Sequence, residues 1–378
     1  MLIQNATVTV TSGGDALKSS HPSTGLGGDL CIHSGDLTLR ADGDGIQADG
    51  RFLILDGNID AVTAGGYAYT VDAMHSARAL KTGKEGVILG GKLKLDAADD
   101  AIHANGTLVI GGGEISLYGA TRAAVARAFL IAGGSIQATS HMRGLVAEVM
   151  EITGGRLLVK AEENAIRTRL DLPTEDDFSL ETGEALLPDG RETVLLVRGG
   201  AMSLTSKSDD VIRARGSMTV EGGILSLSAS DMGGEPIRCD GAYTHKAGIA
   251  VSFGSAAFAG IASPNTDMVS VTASFVTPRR MSENLALKSS DGEYLFVAAA
   301  GQNYRKMRID APTSVLVPGK TYTLMREISL PNHDGVPTVV EDSDGIVFGA
   351  FTVNERRIAL RELGAADLPD DFTPEEIM

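Results

Sequence analysis

Four short phrases in this 378-residue chain set an aspartate three residues ahead of a polar or basic side chain. They are "DALK" from Asp15, "DGIQ" from Asp44, "DAIH" from Asp100 and "DVIR" from Asp210. Companion acids crowd the same places: Asp42 beside Asp44, Asp99 beside Asp100, Asp209 beside Asp210, and Glu162 beside Glu163. Calcium takes six to eight oxygens, carboxylates supplemented by carbonyls and water. Asp15, Asp42 and Asp44 form the strongest candidate cluster, with Asp99 and Asp100 the second and Asp209 and Asp210 a further pair. The competing explanation is turn geometry, because Asp, Asn and Gly suit turns and Asp bonds nearby backbone.

The outward position after each turn carries Lys18, Gln47, Lys81, His103, Arg167 and Arg213, while Arg78, Arg122 and Arg143 occupy turns themselves. A basic strip of this kind on an acidic protein suits planar carboxylates, which arginine recognises through paired hydrogen bonds. Uronic-acid sugars fit that chemistry, with Arg78, Lys81, His103, Arg122, Arg143 and Arg167 as the binding candidates. An alternating salt ladder fits equally, with Asp100 between Arg78 and Arg122. Exposed ion pairs contribute only about 0–1 kcal/mol and need no functional reason. His21, His75, His103, His141 and His333 show no transition-metal spacing. No Gly-Gly pair is followed by the Lys-Ser and helix of a phosphate loop.

The elements that position these residues repeat. A glycine, alternating apolar positions, a polar turn, then an apolar and a small residue recur in "GDLTLRADGDGIQAD", "GKLKLDAADDAIHAN" and "GRLLVKAEENAIRTR". Anchor glycines fall at Gly35, Gly57, Gly91, Gly113, Gly134, Gly155, Gly200 and Gly223. Most intervals are close to 22 residues, within the small-solenoid range. The step from Gly57 to Gly91 holds an insertion around Tyr67 to Ser76, and that from Gly155 to Gly200 a polar one around Asp171 to Glu192. Period-two alternation with β-branched residues makes the strands β. The fold expected is all-β: a right-handed parallel β-helix with ~22-residue coils, since one coil cannot bury its own apolar face. Three ladders follow. Val8, Leu37, Ile59, Leu93, Ile115, Ile136, Leu157 and Met202 form the first. Leu17, Ile46, Leu80, Ile102, Ala124, Leu145, Ile166 and Ile212 form the second. Two places on, Ser19, Ala48, Thr82, Ala104, Ala126, Ala147, Thr168 and Ala214 form a small-residue row.

The expected organisation is a β-helix over 1–252, an irregular β region or cap over 253–361, and an acidic disordered tail over 362–378. Candidate late strands are "MVSVTASFV", "EYLFVAA" and "KTYTLM". The net charge of −16 argues against nucleic acid and anionic membranes. No apolar run is long enough to span a bilayer. Cys31 and Cys239, many coils apart, are expected to be free. No basic-then-apolar leader opens the chain, and the repeat is under way by Ala6 without a cap, so a truncated start or a missing leader is expected.

The phrases "DGDGIQADGRFLILDGNI", "DDAIHANGTLVIGGGEISL", "RALKTGKEGVILGG" and "APTSVLVPGKTYTL" resemble the repeats of a bacterial β-helical carbohydrate-binding domain family, related in fold to calcium-dependent pectate lyases. The resemblance runs from about Ala6 to Leu324. It implies secretion or a cell-surface location, calcium at acidic turns, and binding of acidic or cellulose-like polysaccharide without demonstrated cleavage. The chain departs from that pattern in its start and in the arginines at several turns. The function expected is non-catalytic binding of an acidic polysaccharide with calcium. The alternatives are a calcium-dependent polysaccharide lyase, for which Lys81 and Arg143 are the nameable bases, and a structural surface spacer. With aromatics at 4% and no tryptophan, stacking on neutral glucan is disfavoured.

Overall fold

The computed structural model describes residues 1–20, 27–69, 71, 75–169, 193–230, 233–260, 267–281, 283–328, 335–340 and 344–360. Among these there is no helix, and so none long and apolar enough to cross a membrane. His21, His333, the polar insertion 171–192 and the tail 362–378 lie outside the described residues. The chain divides into two compact units. One comprises Met1–Leu196, Arg213–Met218 and Cys239–Ala242; the other comprises Val197–Ile212, Thr219–Arg238 and Tyr243–Met378.

The first unit is solenoid-like, a stack of parallel strands with three rows per repeat. One row joins Ala6–Ser12, Gly35–Ala41, Asn58–Thr63, Lys92–Ala97, Glu114–Gly119, Ser135–Ser140 and Arg156–Ala161. Its register aligns Val8, Leu37, Ile59, Leu93, Ile115, Ile136 and Leu157, as the repeat spacing requires. A second row aligns Leu17, Ile46, Leu80, Ile102, Ala124, Leu145 and Ile166. Two places on, the same strands align Ser19, Ala48, Thr82, Ala104, Ala126, Ala147 and Thr168, all buried.

The third row carries a ladder that the repeat phrase did not single out: Ile3, Ile32, Ile54, Ile88, Ile110, Ile131 and Ile152. Like side chains in register at ~4.8 Å fill one another's gaps, so seven isoleucines close this corner of the core. Where a large ring enters the row, a neighbour yields space. Phe52 pairs with Gly86, and a Cβ on Gly86 would lie 2.3 Å from the Phe52 ring.

The anchor glycines have a backbone cause. All eight sit at positive φ, from +85° to +132°. A Cβ on Gly113 would come within 2.9 Å of the Gly91 carbonyl oxygen. Only glycine satisfies both the left-handed turn and that approach.

In the second unit, Ala201–Ser206 runs parallel to part of Ser217–Ser228, with Met202 opposite Leu225. Gly248, at φ +85°, repeats the anchor geometry against Gly222 and Gly223, one step beyond Gly223. The pairing then turns antiparallel. Ala250–Gly254 and Met268–Ser274 each pair with the strand Tyr304–Pro312. A separate four-stranded antiparallel sheet joins Asn284–Ser289, Tyr294–Ala299, Thr321–Arg326 and Ile346–Thr352. The three late strands read from the sequence are present as Met268–Arg279, Tyr294–Ala299 and Thr321–Arg326. The aromatic content gathers here: Phe253 and Phe275 pack on Tyr304 at 4.9 and 5.6 Å, and Tyr322 on Phe351 at 5.7 Å. Both cysteines are free.

Candidate functional site

The second row of the first unit places the outward residues in a single line. Lys18, Gln47, Lys81, His103, Val125, Val146 and Arg167 follow one another in register. Three residues before each stands the turn: Asp15, Asp44, Arg78, Asp100, Arg122, Arg143 and Asn164. The turn carboxylates reach across the stack rather than back to their own backbone. Asp15 Oδ1 accepts the Asp44 N–H at 2.9 Å, and Asp44 Oδ1 accepts the Arg78 N–H at 2.9 Å. The second unit repeats the device, with the Glu235 N–H donating to Asp210 Oδ1 at 2.9 Å. Asp209 makes the local bond instead, accepting the Asp210 N–H at 2.8 Å. A row of turns in register leaves each N–H facing the coil before it, and a carboxylate there satisfies a donor that burial would orphan.

The remaining oxygens meet cations. Asp44 Oδ2 faces Lys81 Nζ at 3.3 Å, while its Oδ1 also accepts from Ser76 Oγ at 2.7 Å. Asp15 Oδ2 takes the Lys18 ammonium at 3.0 Å. Asp100, fully buried, accepts Arg122 Nε and Nη2 at 2.8 Å each and meets His103 Nδ1 at 2.9 Å. Burial alone would raise the Asp100 carboxyl, but the Arg122 charge and the His103 contact hold it well below the usual carboxylate range. Burial pushes His103 below the ordinary imidazole value, against the raising contact with Asp100. The two His103 ring nitrogens face acceptors on either side, Asp100 Oδ2 at Nδ1 and Asn105 Oδ1 at Nε2, 3.1 Å away. Asp99 is pushed up to about 6, chiefly by burial and then by the Asp100 charge, with the Arg78 cation at 3.3 Å pulling the other way.

Further along the row, Arg143 pairs with Glu163 at 2.9 Å, and Arg167 donates to Asn164 Oδ1 at 3.5 Å. Lys81, His103 and Arg143 are buried; Arg78, Arg122 and Arg167 are half-buried. Among the candidate metal ligands, Asp44, Asp100 and Asp210 are buried, Asp15, Asp99 and Asp209 are half-buried, and Asp42 is exposed. The structure thus brings acids and bases into an interleaved row of ion pairs running through the turns. Ser76 and Asn105 belong to it and carried no repeat signal, Ser76 because it lies in an insertion and Asn105 because its row position varies. Among the described residues no three acidic, histidine or cysteine side chains converge as a metal-ligand group. The buried aspartates do not fit a resident calcium, since N–H, hydroxyl and cationic donors already occupy Asp44 and Asp100. Lys81 and Arg143, the two nameable lyase bases, are each held against a carboxylate.

A family described as "Carbohydrate-binding domain-containing protein" matches residues 1–124, about a third of the chain. That stretch contains Asp15, Asp44, Asp100, Lys81, His103 and Arg122, and the match supports sugar binding. No curated protein and no solved structure matches.

Proposed function

We propose that this chain is a non-catalytic carbohydrate-binding protein, secreted or held at the cell surface, built on a right-handed parallel β-helix. The observation that carries the proposal is the family match over residues 1–124, laid on a stack whose first four coils align Lys18, Gln47, Lys81 and His103. In the finer reading the ligand is a uronate-containing polysaccharide that lies along that row. Lys18, its side chain 46% exposed and paired with Asp15, and the half-buried Arg167 are the row's cations that reach the surface, where a bound carboxylate would meet them. Lys81, Arg122 and Arg143 act from behind as ion pairs, and His103 through its contact with Asp100, to hold the row's shape. Many weak contacts along an extended chain add through multivalency.

The calcium part of this reading is confined to the exposed acid Asp42, since an N–H and an ammonium already occupy both oxygens of Asp15. Thermal melts with millimolar calcium and with chelator test it. A ligand of the native state raises Tm with concentration, and a melt indifferent to both solutions removes calcium from the reading. The polysaccharide part is tested by retention on immobilised polygalacturonate, where Lys18→Ala with Arg167→Ala is expected to weaken retention several-fold. Equal retention of the double variant sinks the row as the site. Growth of an unsaturated product during the same incubation, lost in Lys81→Ala, replaces the binder with a lyase.

A further inference from the structure

The chain has seven tyrosines and no tryptophan. Tyr243, Tyr294, Tyr304 and Tyr322 are buried in the second unit. The three that are not, Tyr67, Tyr69 and Tyr118, belong to one neighbourhood of the first unit although 49 residues separate Tyr69 from Tyr118. The Tyr67 ring stands between Tyr118, at 5.6 Å, and His141, at 5.1 Å, tilted 39° and 53° to them. Tyr69 is 64% exposed, its ring laid over the Gly65 backbone, and His141 is exposed.

We propose that Tyr67, Tyr69, Tyr118 and His141 form a stacking platform for the pyranose rings of an uncharged glycan. This rests on the carbohydrate-binding reading but uses different residues and different chemistry from the ion-pair row. Tyrosine offers a large, rigid, amphipathic surface at low entropic cost, and half-exposed rings grouped on a polar face suit a ligand with one apolar face and a hydroxyl rim.

Two features make the platform a built one. Tyr67 and Tyr69 come from the insertion between Gly57 and Gly91, and insertions in a solenoid map to loops on one face, often the binding face. The loop is fixed from below. Asp96 Oδ1 accepts the Tyr67 N–H at 2.7 Å, and Gly66, at φ +87°, passes so close that a Cβ there would lie 2.6 Å from the same oxygen. Asp96, Tyr118 and Thr139 are aligned on successive strands, with His141 two residues beyond Thr139. At ~4.8 Å per strand the platform spans roughly 10 Å along the stack, comparable with a disaccharide. Its charged member is Asp96, half-buried, which repels a uronate and accepts from a sugar hydroxyl.

Affinity electrophoresis of the full chain in gels cast with hydroxyethyl cellulose, with polygalacturonate, or with no polymer tests the platform. The expected result is retardation by the neutral glucan that falls ~10-fold or more in apparent affinity with Tyr69→Ala and with Tyr118→Ala, while retention on polygalacturonate stays at the wild-type value. Tyr118→Leu, which keeps apolar bulk on the strand, is expected to fail in the same way at unchanged Tm, separating lost stacking from lost folding. Neutral-glucan retardation that persists in all three variants overturns the platform. Retention on polygalacturonate with none on the neutral glucan overturns it too, and leaves the wider carbohydrate reading standing. Retention on neither polymer removes both.

Discussion

At the scale of the residue, Asp100 decides how the turn row is held. It is a fully buried carboxylate with a side-on guanidinium on both oxygens. Removing one partner of such a pair strands the other charge, which costs about 3–5 kcal/mol. Asp100→Ala is therefore expected to lower stability by that order in a denaturant titration. Asp100→Leu combined with Arg122→Met is expected to recover most of the loss, because a buried pair is often replaceable by apolar bulk. A single variant as stable as wild type removes the structural role assigned to the pair. Asp99 behaves oppositely. Its carboxyl is raised to about 6, so between pH ~4 and 6 the folded chain keeps a proton the unfolded chain has lost. Stability from this group falls as pH rises through that window. Asp99→Asn is expected to gain on wild type between pH 4 and pH 7 by on the order of 2 kcal/mol. A variant-minus-wild-type difference that is flat with pH rejects the assignment. The positions of these acids were legible in the sequence because register is fixed by the repeat. Their partners were not, since whether a turn carboxylate meets a cation, an N–H or solvent depends on the coil beside it.

At the scale of the element, the anchor glycines explain why the stack could be read at all. Each repeat needs one residue at positive φ where the neighbouring coil's carbonyl leaves no space for a Cβ, so glycine recurs at a fixed phase. Gly113→Ala is expected to cost well over 2 kcal/mol, adding a backbone clash to the left-handed strain. Gly27→Ala, at φ +99° with nothing within 4 Å, carries the strain alone and is expected to cost about 1–2 kcal/mol. Equal midpoints for the two variants in urea would contradict the clash. The isoleucine ladder escaped the sequence reading because strands of only three residues carry it in the early coils, Leu30–Ile32, Phe52–Ile54 and Gly86–Ile88, where a period of two has little length in which to show. Gly248 escaped it because the step from Gly223 is longer than the ~22-residue ruler and the following strands pair antiparallel. The late strands were recognised from composition, but antiparallel order has no repeat to announce it. Stacking on neutral glucan was disfavoured from the sequence for a related reason. A low aromatic fraction is an average over the chain, and it cannot register that Tyr67 packs with Tyr118 and His141.

At the scale of the whole molecule, charge separates the two proposed modes of binding. The chain carries −16 overall, so an anionic polymer is repelled at long range even while Lys18 and Arg167 attract it locally. Salt acts on these two terms at different distances. The Debye length shortens from about 30 Å at 0.01 M to about 10 Å at 0.1 M and 3 Å at 1 M. Raising salt from the lowest value first screens the repulsion of distant acids, and only later weakens contacts a few ångströms apart. Retention on polygalacturonate is therefore expected to pass through a maximum at intermediate salt. A neutral glucan stacked on tyrosine has no charge to screen, so its retention is expected to stay nearly level across the same series. Apolar contact of that kind is, if anything, strengthened by excluded salts such as sulfate. Affinity electrophoresis over a salt series on both polymers measures the two curves with one preparation. A polygalacturonate curve as flat as the neutral one means that cations do not hold the acidic chain. A neutral curve that falls with salt means that the tyrosine face is not what holds the glucan.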